Sequence, residues 1–229
     1  MTQRLADAPT SLPPLTDEHV VVVPTDTALV RLHDVGGRHP TSHDQLRWFG
    51  PLTGKGRFDH HPPGPPADHE PHHGVMYVAL DDPDAAPTPA GGAGGTVLDV
   101  VLCEAVQDGD VLVVTDGLSL TVWRTSGELR LLDLGGPWAQ LTRVGTHLST
   151  APHDRTQPWA RVIRQQYREL HGLLYTPATG GRALAAALNE SSVPQLGGRI
   201  ELARPLGHPQ LLPIVGEVGQ RLGFSVEVV

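Results

Sequence analysis

One cysteine, Cys103, stands in 229 residues, which excludes an intramolecular disulfide framework and a cysteine-built zinc centre. Basic residues are scarce: 17 against 25 acidic ones, a formal net charge of −8, with no Lys/Arg cluster to offset a pI near 5.8. Binding to a phosphate backbone is therefore disfavoured as the main activity. No apolar run approaches the ~18 residues of a membrane helix. Residues 1–19 are polar and proline-bearing and lack the apolar centre of a signal peptide. These absences predict a soluble, cytoplasmic, globular protein with neither nucleic acid nor membrane as partner.

Pro (22) and Gly (26) together make about a fifth of the chain, below the ~25–30% of wholly disordered low-complexity protein. A folded core with long loops is expected. Residues 1–18 have few apolar side chains and read as a disordered tail, leaving 19–229 as a single domain. Val20–Val23, Ala28–Leu32 and Val75–Leu80 read as strands. The Pro/His segment 60–74 and the stretch 81–95 read as flexible loops. Thr96–Val106 is ambiguous. Thr96 with Asp99 three residues on resembles a capping box, whereas the β-branched content and Asp108-Gly109 suit a hairpin into Val111–Val114; the balance falls to helix. Leu118–Val122 and Leu129–Leu134 read as a hairpin around Ser126-Gly127. A helix is predicted with Pro158 near its start, Trp159, Val162, Ile163, Tyr167 and Leu170 on one face and Gly172 past its end. Short strands follow at Leu173–Thr176 and Ala183–Leu188, a second helix at Pro209–Leu222 and a last strand at Phe224–Val228. Strands and helices do not alternate regularly, so the fold class is α+β: a compact mixed sheet with flanking helices.

His60, His61, His69, His72 and His73, with Asp59, Asp68 and Glu70, carry metal-ligand chemistry. They sit on a proline-rich segment without HExxH spacing, so no metal is assigned. No GxSxG elbow, Walker A loop or GxGxxG turn is present. Cys103 reads as a small buried hydrophobe. What remains is dispersed: Arg31, Arg57, Tyr77, Asp99, Glu104 and the run Tyr175–Thr179.

The order LVRLHD (29–34), GRFDHH (56–61), GVMYVAL (74–80), LRLLDLGG (129–136), PWARVIRQQYRELHGLLYTPATGGRALAAAL (158–188) and ARPL…LGFSVEV resembles the RES domain family. The resemblance implies an ADP-ribosyltransferase-like fold. It also implies the activity of a toxin from a toxin–antitoxin pair that destroys NAD+ by phosphorolysis or hydrolysis. NAD+ would be substrate, inorganic phosphate a co-substrate, with no prosthetic group. A helix-turn-helix antitoxin is the implied protein partner, and a homo-oligomer is compatible with it. By the same resemblance Arg31 and Arg57 would clamp the pyrophosphate and Tyr77 would stack on nicotinamide. Glu104 or Asp99 would be the catalytic acid, five positions apart and so on different helical faces, Glu104 leaning to chemistry and Asp99 to capping. The family's serine falls on Pro177, which leaves Thr176 or Thr179 to offer a hydroxyl.

Those residue types suit the chemistry. Expelling neutral nicotinamide leaves an oxocarbenium-like ribose that a fixed carboxylate stabilises. Guanidinium groups bind diphosphate oxygens bidentately.

Overall fold

The computed structural model describes residues 5–36, 40–48, 56–62, 73–81, 95–106, 110–145, 147–177 and 183–229. Eleven strands are assigned among them: β1 Val20–Val23, β2 Ala28–Asp34, β3 Arg47–Trp48, β4 Gly74–Asp81, β5 Val111–Val114, β6 Leu118–Arg124, β7 Leu129–Asp133, β8 Gly172–Tyr175, β9 Ala183–Asn189, β10 Ile200–Pro205 and β11 Ser225–Val228. The helices are α1 Val97–Ala105, α2 Pro137–Leu141, α3 His147–Thr150, α4 His153–Gln166 and α5 Leu212–Leu222. The result is an α+β fold.

Strand order in the main sheet is β1-β7-β8-β9-β4-β2-β6-β10, with β3 added to β4, while β5 and β11 form a separate parallel pair. The sheet is mixed: β7 and β8 run parallel and its other pairs antiparallel. Five strand spacings separate β1 from β2, about 24 Å in a flat sheet. Yet only residues 24–27 join them, a reach of about 17 Å. The sheet must therefore curl. The turn is held at the end of β6, where the Asp26 amide donates to Thr125 O and the Thr125 amide to Thr27 O, both at 3.0 Å.

Alternation sorts side chains onto two faces. Val23, Leu29, Met76, Val78, Leu80, Trp123, Leu129, Leu131, Leu174, Ala186 and Leu188 form one cluster, closed by Leu46 and Leu196 from loops. No helix enters that cluster, as expected for the inside of the curl. The other face carries Val75, Ala79, Leu132, Leu173, Tyr175, Ala185 and Ala187 and packs with Val100, Val101 and Leu102 of α1 and Trp159, Ala160 and Ile163 of α4.

Several expectations change. The helix around Trp159 begins at His153, five residues before Pro158, so that proline lies inside it, and Gly172 is the first residue of β8 rather than a stop. The strands at 118–124 and 129–133 exist but do not pair with each other: β6 joins β2 and β10, and β7 joins β1 and β8. Likewise β5 pairs with β11, not with the 96–106 segment, which is helical as α1. Nor is the N-terminal stretch a loose tail from residue 5 onward. Leu5 and Leu12 are buried, and α4 side chains hold the backbone between them: Arg155 donates to Leu5 O, Trp159 to Ala6 O and Gln166 to Thr10 O, each at 3.0 Å. Beyond the end of α4, the Tyr167 hydroxyl donates to Pro13 O at 2.6 Å. Among the described residues no helix is long and apolar enough to cross a membrane.

Candidate active site

β9 reads ALAAALN, and its alanines shape the site. Register places Tyr77 opposite Ala187 and Tyr175 opposite Ala185, so two tyrosines on β4 and β8 flank a strand of methyl groups. Phe58 fills this trough, its ring 5.0 Å from that of Tyr175 in an edge-on arrangement.

The Gly56–Asp59 turn is thereby seated between sheet and helix. On the helix side, Thr156 donates to Arg57 O at 2.6 Å, Gln157 donates to Gly56 O at 2.9 Å, and the Arg57 guanidinium donates to Ala151 O. On the sheet side, the Phe58 amide donates to the Tyr77 hydroxyl oxygen at 2.8 Å, and that hydroxyl lies 3.4 Å from Asp59 Oδ1. Arg47 Nη2 donates to the same carboxylate at 3.1 Å, with its guanidinium 5.7 Å from the Tyr77 ring centroid. A glycine is needed at the head of this turn. A Cβ on Gly56 would overlap Asp59 Oδ1 and lie 2.6 Å from Arg47 Nη2 and 2.7 Å from the Tyr77 oxygen.

Glu104, from the last turn of α1, joins this cluster electrostatically. Glu104 is an exposed residue by overall area, yet desolvation of its carboxyl raises its pKa, and Arg57 and His153 offset this only in part. Burial pushes the Tyr175 phenol well up, with Glu104 and Tyr77 adding to the effect. Tyr77 is also pushed well up, first by burial, then by Asp59. Burial raises Asp59 too, against the pull of Arg47. Arg57, Glu104 and Tyr77 thus share one neighbourhood, with Tyr175, Arg47, Asp59 and His153 around them.

The remaining candidates lie elsewhere. Arg31 sits on the opposite sheet face: Val30 pairs with Ala79, which shares the Tyr77 face, so the adjacent Arg31 points the other way. It is 6% exposed, and its Nη1 donates to Ser42 O, His43 O and Gln45 O at 2.9, 3.1 and 2.6 Å. The expected pairing of Arg31 with Arg57 as one clamp is not what this geometry offers. Asp99 is buried as the cap of α1: its carboxylate accepts the Thr96 amide at 2.7 Å, and it pairs with Arg221 of α5. Thr176 is exposed just past β8 and Pro177 is buried, while Thr179 lies outside the described residues.

Of the histidine segment, His60 and His61 are buried, not part of an open loop. His60 Nε2 lies 3.2 Å from Glu190 Oε2, and Arg164 holds the other oxygen of that carboxylate at 3.1 Å. Burial pushes Glu190 up, but His60 and Arg164 together hold it below its ordinary value. Residues 63–72 and 82–94, which make up most of the two expected loops, lie outside the described residues. Among the described residues no group of three or more His, Cys, Asp or Glu is arranged to hold a metal ion.

Sequence reasoning passed over Arg47, and it held Tyr175 only as the head of the run Tyr175–Thr179, with no role of its own. The available signal for Tyr175 was its position beside an alanine-rich strand; for Arg47 there was none, because its place depends on the two-residue strand β3.

No protein-family model matches the chain, and no curated protein matches it in sequence. Among solved structures it is similar to the M. tuberculosis MbcT–MbcA toxin–antitoxin complex, with a TM-score of 0.47 and 14% identity. That match covers 87% of this chain and 92% of that chain.

Proposed function

We propose that this chain is an NAD+-cleaving enzyme of RES type, a phosphorylase or glycohydrolase acting as the toxin of a toxin–antitoxin pair. The observation that carries the reading is the convergence of Arg57, Tyr77 and Glu104, three residues from separate segments singled out by the family's order of motifs. Arg57 binds diphosphate oxygens with charge-assisted hydrogen bonds. The Tyr77 ring stacks on nicotinamide, while its hydroxyl stays committed to the turn. As the bond between ribose C1′ and nicotinamide nitrogen breaks, the electron pair leaves with neutral nicotinamide. The Glu104 carboxylate then stabilises the positive ribose. An oxygen of phosphate or water bonds to C1′ and loses its proton to solvent. Thr176 or Thr179 orients that acceptor in place of the family's serine. A helix-turn-helix antitoxin is the proposed protein partner.

Pro177 favours a second reading, a module that binds NAD+ or a protein without turning NAD+ over, because a buried proline offers no hydroxyl where the family has one. NAD+ consumption by the purified chain, with product identification, separates the two. Loss of NAD+ supports the enzyme; binding by calorimetry without loss supports the module.

A further inference from the structure

We infer that Arg47 and Asp59 are positioning residues for Arg57: their ion pair, joined to the Tyr77 hydroxyl, sets the Gly56–Asp59 turn against the sheet so that Arg57 meets its ligand beside Glu104. The inference rests on the reading of this site as an NAD+ site and deepens it.

Three observations carry it. First, register puts Arg47 opposite Val75, on the same sheet face as Tyr77, so β3 delivers a guanidinium to the turn from the sheet side. Second, the Asp59 side chain is 2% exposed and its carboxylate lies within that network: Arg47 Nη2 at 3.1 and 3.4 Å from its two oxygens, the Tyr77 hydroxyl at 3.4 Å, and the Gly56 backbone at the head of the same turn. Third, α4 grips the turn at Gly56 O and Arg57 O, whereas the sheet grips it at the Phe58 amide and the Asp59 carboxylate. Arg57, held by α4 through its carbonyl, adjoins Phe58, the first residue held by the sheet. Loosening either grip moves Arg57.

A buried ion pair is a weak source of net stability, since desolvating both groups offsets most of their attraction. Its stronger effect is directional, because a guanidinium and a carboxylate meet in a narrow range of geometries. Two further consequences follow for Tyr77. Its hydroxyl accepts from Phe58 and faces Asp59, so it offers the ligand a ring and not a proton. Arg47 lies over that ring and brings a positive charge to its face.

The test uses the full chain with Arg47→Gln, Asp59→Asn, the double variant and Arg47→Lys, read by amide exchange in 56–59 and by NAD+ kinetics. The single variants should speed exchange at Phe58 and leave α1 and α4 protected. They should raise KM for NAD+ about tenfold, with kcat within about twofold, which corresponds to about 1.4 kcal/mol of binding. Because the two residues act as one unit, the double variant should be no worse than either single one, and Arg47→Lys should recover part of the loss. Unchanged exchange at Phe58, or losses that multiply in the double variant, would overturn the inference. If the wild-type chain leaves NAD+ intact, the functional reading fails by itself, and the exchange data alone support or overturn the positioning role. Should Asp59→Asn not fold, Arg47→Gln and Arg47→Lys decide.

Discussion

Asp99→Ala should lower stability and spare turnover, while Glu104→Gln should do the opposite. Asp99 closes the capping box of α1, its carboxylate accepting the Thr96 amide at 2.7 Å while its own amide donates to Thr96 Oγ1 at 3.2 Å. Losing such a cap costs about 0.5–2 kcal/mol. The pairing with Arg221 adds about 0–1 kcal/mol, because that arginine side chain is half exposed. Together these predict a loss of about 0.5–3 kcal/mol, which for a chain of this size lowers the melting temperature by about 1–12 °C. Glu104 behaves differently. Desolvation raises its folded pKa, so the folded state holds its proton more tightly than the unfolded state, and the ionised form opposes folding as pH rises through that value. Removing the charge should therefore leave stability at pH 7 unchanged or slightly higher. Turnover should fall about 10²–10³-fold, the loss typical of a single group that stabilises developing charge. Calorimetric melting and NAD+ turnover on both variants form the assay. If Asp99→Ala abolished turnover at an unchanged melting temperature, the assignment of the two acids would be reversed.

Three shorter predictions concern other parts of the account. Leu12→Ala, in the segment held along α4, should cost about 2–5 kcal/mol as a buried truncation, measured by denaturant unfolding; a change under about 0.5 kcal/mol would mean that this segment does not pack. Gly172→Ala should prevent β8 from pairing as it does, since a Cβ there would overlap Ala187 O and lie 2.9 Å from Leu188 Cα, with only backbone to yield; soluble expression with unchanged melting would contradict the β8–β9 register. The acid limb of kcat/KM should lie above the ordinary glutamate range, activity being lost as pH falls through the raised Glu104 value and the carboxylate protonates. A limb at or below that range would argue against Glu104 as the charged group.

Strands were legible because alternation is a local signal: Val20–Val23, Ala28–Asp34 and Gly74–Asp81 all read correctly, within a residue or two, from their apolar pattern. Pairing was not. The short link 125–128 invites a hairpin, yet β2 and β10 take both edges of β6, and β10, an exposed strand with little alternation, left no trace in the sequence. The 5–16 segment escaped for a related reason. Two leucines anchor it and its backbone carbonyls do the rest, and composition does not register carbonyls bound by another segment's side chains.

At the candidate site, Arg57, Tyr77 and Glu104, chosen from the sequence by type and order, lie in one neighbourhood, but Arg31 does not join them. Its strand was right; its face depends on the β2–β4 register, where a shift of one residue turns every side chain over. The helical rotation between Asp99 and Glu104 was readable, and the two acids do face different partners, Arg221 for one and the neighbourhood of Arg57 for the other. Arg47 depended on a strand of two residues and so on tertiary pairing alone.

The central claim is tested most directly by incubating the purified chain with NAD+, with and without inorganic phosphate, and identifying the products. The account predicts loss of NAD+ with release of free nicotinamide, together with ADP-ribose or its phosphate, and abolition of that loss by Glu104→Gln. Intact NAD+ under both conditions, from a chain that melts cooperatively, would contradict it.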